Sequence, residues 1–176
     1  GDAGLMTVRG AAVLGRADVV LHDALVGPGV MAMVPDGAER VDAGKRAGGR
    51  SMPQVELNEL LVKHARDGKT VVRLKGGDPY IFGRGGEEVD DLRRAGVAVE
   101  VIPGISAAIG GAAEALLPLT HRDYSSAVSF VSGASRRFIS NSGGCRGNDI
   151  WQRTSLISTP LAPLLDSFFV EQVWIV

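Results

Sequence analysis

Three predicted strands in this chain each give way to a glycine-bearing loop. Arg40–Ala43 gives way to Gly44, Thr70–Leu74 to Lys75-Gly76-Gly77-Asp78-Pro79, and Val97–Ile102 to Pro103-Gly104. Runs rich in β-branched residues and bounded by turn formers read as strands. Val19–Leu21 is a fourth such run. Between the strands the apolar spacing is helical. In Pro53–Arg66, Leu57, Leu60, Leu61 and Ala65 form one stripe, with Ser51 ahead of the proline and Gly68 beyond the last turn. A helix over 7–17 has Thr7 as N-cap, and one over 87–95 turns Val89 and Leu92 inward and stops at Gly96. Ser106 is expected to cap a small-residue helix over 107–117. Strands that alternate with helices of this length predict an α/β fold with a parallel sheet covered on both faces. Ligands in such sheets bind where loops leave the carboxyl ends of the strands. Glycine is 24 of 176 residues, about twice the usual share of roughly 7%. One glycine after a strand is an ordinary tight turn; three such loops on one sheet edge suit a small polar ligand.

Charge and composition exclude several classes. The formal net charge is -1 and the sequence pI is 6.3, without the basic excess of a protein that neutralises a phosphate backbone. Aromatics at 5% leave no rows of stacking rings for single strands. No nucleic-acid partner is therefore expected. Val101–Ala113 is free of charge but short and broken by Pro103 and glycines, so no membrane helix is expected. The first residues lack the basic start and apolar core of a secretion signal. With Cys145 the lone cysteine, and His22, His64 and His121 far apart, neither a disulfide framework nor a metal cluster is expected, and a reducing cytoplasm fits best. Three phosphate and nucleophile motifs fail. Gly37 to Gly44-Lys45 has two residues too many for a P-loop, and Arg46 follows the lysine. No Gly-x-Gly-x-x-Gly links a strand to a helix, and no Gly-x-Ser-x-Gly occurs.

From Arg73 to Glu88 the chain reads Arg-Leu-Lys-Gly-Gly-Asp-Pro-Tyr-Ile-Phe-Gly-Arg-Gly-Gly-Glu-Glu. With Gly1–Thr7, Asp23–Val26, Gly44–Gly48, Val101–Ala108 and Pro118–Tyr124, this resembles the tetrapyrrole methylase family, in its uroporphyrinogen-III C-methyltransferase class, over about residues 1–133. The resemblance implies an S-adenosylmethionine-dependent enzyme. It would transfer two methyl groups to pyrrole carbons of uroporphyrinogen III and give precorrin-2 for siroheme and cobalamin. It also implies a cytoplasmic homodimer. A methylase acting on a later precorrin, or a non-catalytic remnant, is the alternative.

By resemblance, Gly76, Gly77, Asp78, Ile81, Ser106 and Ala107 line the methyl donor, Arg84, Glu87 and Arg122 hold the macrocycle, and Asp23 and Lys45 are proton acceptor and donor. The residue types suit these roles. A loop without Cβ atoms lets adenosine approach the backbone, and arginine offers paired donors to a ring that carries eight carboxylates. The chemistry needs no metal, since alignment in a dry cleft and a base for the departing proton supply the catalysis. Read without the family, Ile81 and Ala107 are core residues, Arg84 and Glu87 an exposed pair at a helix start, and Asp23 and Lys45 a loop-ordering ion pair.

Family members carry a strand of the type Val-x-Leu-Val-Gly-x-Gly-Pro ahead of Gly-Asp-Ala-Gly, and this sequence begins inside that motif. The expectation is an N-terminal α/β domain over 1–118 without its first strand, whose neighbours would then expose backbone groups. The start of a second α/β domain follows over 119–133, then an unmatched tail over 134–176. The apolar end from Leu164 to Val176 is expected to form a helix, a strand or an aggregation-prone segment.

Overall fold

A computed structural model describes residues 2–44 and 52–130, with the backbone of 171–175. A 3-10 turn at Ala3–Leu5 leads into α1 (Val8–Leu14), where the Thr7 hydroxyl accepts from the Gly10 amide as the N-cap expected. β1 (Val19–His22), α2 (Pro28–Met31) and β2 (Glu39–Asp42) follow. Then come α3 (Gln54–Arg66), β3 (Val71–Gly76), α4 (Gly85–Arg94), β4 (Glu100–Val101), α5 (Ala107–Glu114) and β5 (Glu171–Ile175). The five strands form one sheet in the order β2-β1-β3-β5-β4. β1 pairs in parallel with β2 and with β3, as the alternating pattern predicts. β5 is antiparallel to both β3 and β4 and lies between them.

Side chains along a strand alternate between sheet faces, and the core divides accordingly. Val20, Val72 and Leu74 point to one face and pack with Val13, Leu14, Val30, Val34 and Ile102. Val19, Leu21 and Val71 point to the other and pack with Leu57 and Leu61 of α3 and Leu92 of α4. The sheet is thus covered on both sides, as expected.

Three elements are shorter than their sequence pattern. The helix expected to reach Ala17 ends at Leu14, where the Arg16 and Ala17 amides turn to the Val13 and Leu14 carbonyls at 3.0 and 3.2 Å. Gly96 takes φ +75° beyond α4 and the Val97 amide donates back to the Leu92 carbonyl, so the chain is still closing the helix where a strand was expected to start. Likewise α5 ends at Glu114 because Leu116 takes φ +54° and the Leu117 amide returns to the Ala112 carbonyl. Ser106 sits at the N-cap position of α5 without making a side-chain capping bond.

Candidate active site

Because β1, β2, β3 and β4 run the same way, the loops that leave their carboxyl ends share one edge of the sheet. Asp23 follows β1, and its amide donates to the Leu74 carbonyl of β3 at 3.2 Å. Gly44 follows β2 and abuts the β1 loop: a Cβ there would lie 2.4 Å from the Ala24 amide nitrogen, so only glycine fits. Lys45, assigned as proton donor by resemblance, lies outside the described residues, as does Ser51.

The β3 and β4 loops are joined by Asp78. Its Oδ1 accepts from the Tyr80 amide at 2.9 Å and its Oδ2 from the Gly104 amide at 3.1 Å. The carboxylate expected to accept from a ligand therefore first orders the two loops that would receive one. This bond brings Gly76, Gly77 and Asp78 to the residues just ahead of Ser106 and Ala107. Ser106 is 4% exposed, and its hydroxyl has no hydrogen-bond partner among the described residues. A buried hydroxyl left unpaired is costly and calls for an explanation, such as a group that the fold is built to receive. Ala107 is half-buried and Ile81 is partly exposed at the loop's rim.

The substrate candidates lie outside this core. Arg84 is the N-cap of α4, and its guanidinium meets Glu87 one turn on, with Nε 3.2 Å from both carboxylate oxygens and Nη2 2.6 Å from Oε2. This is the exposed helix-start pair that the residues alone suggest. The hydrogen bond from Arg84 pulls the Glu87 carboxyl below its ordinary range against desolvation, with lesser help from the charges of Arg84 and Lys75. The same bond and the charge of Glu87 raise Arg84. Arg122 is exposed in the turn that His121 closes on Ser125.

Residues 1–150 match the family model of the tetrapyrrole (corrin/porphyrin) methylases. The chain belongs to that family. Among tetrapyrrole methylases it is similar to a siroheme synthase of Cronobacter sakazakii, with 56% identity over 133 residues, which cover 76% of this chain and 28% of that protein. A crystal structure of uroporphyrin-III C-methyltransferase from Thermus thermophilus superposes with a TM-score of 0.62 at 46% identity, covering 69% of this chain and 51% of that one. The same Thermus enzyme in complex with S-adenosyl homocysteine gives a TM-score of 0.57 at 47% identity, covering 69% and 46%. This tetrapyrrole methylase chain thus spans somewhat over a quarter of its curated relative and about half of the solved enzyme.

Sequence reasoning passed over Arg73, Lys75 and Glu88. Arg73 and Lys75 follow Val71 on the core-facing side of β3, and both are buried. Arg73 Nη2 donates to Asp23 Oδ1 at 2.5 Å, and Lys75 Nζ to Glu88 Oε1 at 3.0 Å. The signal was present: two cations at period-two spacing on an apolar face need anions opposite.

Proposed function

We infer that the edge formed by Asp78, Ser106 and the Gly76-Gly77 loop is one wall of an S-adenosylmethionine site. We infer further that the chain belongs to an enzyme that C-methylates uroporphyrinogen III to precorrin-2, a cytoplasmic homodimer. The observation that carries this reading is the buried, unpartnered Ser106 hydroxyl beside the two loops that Asp78 holds together. The residues present fit the donor. Gly76 and Gly77 present backbone without a Cβ, Ser106 offers a hydroxyl to a polar end, and the rim residue Ile81 gives an apolar surface for adenine. The crystallised Thermus relative with S-adenosyl homocysteine supports the choice of ligand. The described helices include none long and apolar enough to cross a membrane.

When bound, the donor supplies a methyl group on a sulfonium centre, and the chain's own residues do the rest. Arg84 and Arg122 bind carboxylates of the macrocycle, each guanidinium presenting paired donors. Glu87 accepts from pyrrole NH groups once a substrate carboxylate takes its place on Arg84. Asp23 is 30% exposed and tied at Oδ1 to Arg73, which leaves Oδ2 without a protein partner among the described residues and open to the proton that the methylated ring loses. Lys45, next in sequence to Gly44, would return a proton.

The test is anaerobic incubation with uroporphyrinogen III and methyl-labelled donor. A labelled dimethylated product is expected; its absence, together with a labelled later precorrin, would move the reading to another step of the family. Titration with S-adenosylhomocysteine separates the wall from a remnant: affinity on the order of micromolar supports a working cleft, and no heat at about millimolar rejects one.

A further inference from the structure

Resting on the assignment of Arg84 to the substrate, we propose that Lys75 and Glu88 are positioning residues, a buried ion pair that clamps the strained loop carrying Arg84 and joins it through Arg73 to Asp23. The loop between β3 and α4 contains two non-glycine residues in the left-handed region, Phe82 and Arg84, each at φ +55°. Side-chain-bearing residues adopt that conformation only where their surroundings impose it. Between them, Gly83 has no room for a side chain, since a Cβ would lie 2.8 Å from the Pro79 carbonyl oxygen. The loop closes on itself through the Ile81 amide to Asp78 and the Gly85 amide to Pro79, at 3.0 and 3.1 Å.

What ties this loop to the sheet is a side chain. Lys75 is 7% exposed, and its ammonium donates both to the Gly83 carbonyl and to Glu88 Oε1. The carbonyl it holds is that of the residue immediately before Arg84, so the grip sets the backbone from which the guanidinium projects. Helix α4 then places two successive carboxylates on opposite sides. Glu87 is 59% exposed and pairs with Arg84, whereas Glu88 is 1% exposed and faces the sheet. Glu88 also accepts from Gln54 Nε2 of α3 at 3.1 Å, which fixes its rotamer. Its Oε2 stands 3.6 Å from Arg73 Nε, and neither atom has a hydrogen-bond partner among the described residues. Arg73 in turn donates to Asp23 and to the Leu21 and Leu74 carbonyls.

A continuous chain of contacts therefore runs Asp23–Arg73–Glu88–Lys75–Gly83, with two cations and two anions. Stability alone does not call for it, because buried ion pairs commonly do no better than apolar side chains of the same volume. Placement of the Asp23 and Arg84 loops relative to one another is what apolar side chains could not supply.

The experiment replaces the pair by the unbranched, apolar Lys75→Met/Glu88→Met double variant. Hydrogen exchange at the Ile81 and Gly85 amides, the thermal midpoint, and binding of uroporphyrin III and S-adenosylhomocysteine are then compared with the parent chain. The double variant is expected to keep or raise its midpoint while both amides exchange at least about tenfold faster. Uroporphyrin III binding is expected to weaken by about tenfold, with S-adenosylhomocysteine held within about twofold. Parent-like exchange at Ile81 and Gly85 overturns the clamp, whatever the ligands do. Faster exchange with unchanged porphyrin affinity also overturns it, provided Arg84→Ala weakens that affinity. If Arg84→Ala leaves porphyrin binding intact, the substrate reading of Arg84 fails, and exchange still decides whether the loop is clamped. Should the double variant not fold, Glu88→Gln keeps the shape and removes the charge opposite Lys75, and the same readouts apply.

Discussion

The Ser106 hydroxyl is buried and unpaired, at the start of a helix whose amides it does not cap. Removing an unsatisfied buried polar atom relieves its desolvation cost, so Ser106→Ala is expected to leave unfolding free energy unchanged or raise it by about 1 kcal/mol. The same change is expected to weaken S-adenosylhomocysteine binding by about tenfold, or about 1.4 kcal/mol. Denaturant titration and calorimetry on one variant read the two effects; a variant that loses stability while keeping affinity would make the hydroxyl structural. Glu87 gives the second residue-scale expectation. Its folded carboxyl is lowered chiefly by the Arg84 hydrogen bond, so the stability it contributes is fully present above its unfolded pKa and is lost as pH falls through the folded value. Arg84→Ala is expected to move the Glu87 carboxyl back toward its ordinary range in an NMR titration. Because both groups are exposed, the accompanying stability change is small and shrinks with added salt.

At the scale of elements, helix ends decide which boundaries the sequence discloses. α3 and α4 stop where Gly68 and Gly96 supply positive φ, at +77° and +75°, and both glycines stand out in the sequence. α5 makes the same closing turn with Leu116, which carries no such mark, and so its sequence pattern runs on to Leu117. The side chain of Leu116 is 90% exposed, so truncation loses almost no packing. Leu116→Gly is expected to stabilise the fold by about 0.5–1 kcal/mol by relieving left-handed strain. That corresponds to a rise of about 2–4 °C per kcal/mol in the thermal midpoint. A lower midpoint would mean that the leucine is held by contacts worth more than its strain. The strand-loop edge was legible for a related reason: glycines follow β2, β3 and β4 where the backbone must turn, and they mark the site before any contact is known. The charged interior was not read, because Arg73, Lys75 and Glu88 have the sequence look of a solvated face. Only the alternation along β3 and the burial of Glu88 against it give them away.

On the scale of the whole molecule, the sheet depends on its most distant segment. Among the described residues, β4 is hydrogen-bonded to the other strands only through β5, which lies between β3 and β4. β5 pairs with Val72–Gly76 on one side and Glu100–Val101 on the other. Nothing in the local sequence announces that arrangement, since it is fixed by pairing across about 70 residues of chain and not by propensity. The coupling reaches the site, because β4 leads directly to Gly104, whose amide Asp78 accepts. Trp174 lies opposite Arg73 on one side and Val101 on the other, so proline there removes a ladder donor from an interior strand. Trp174→Pro is expected to cost about 3 kcal/mol or more. Hydrogen exchange is expected to rise first in β4 and the Pro103–Ser106 loop, while β1 and β2, paired with each other and packed on α3, keep their protection. S-adenosylhomocysteine affinity is expected to fall with the loss of protection around Gly104. Uniform loss across all strands would instead make β5 part of a single cooperative unit with the parallel half of the sheet.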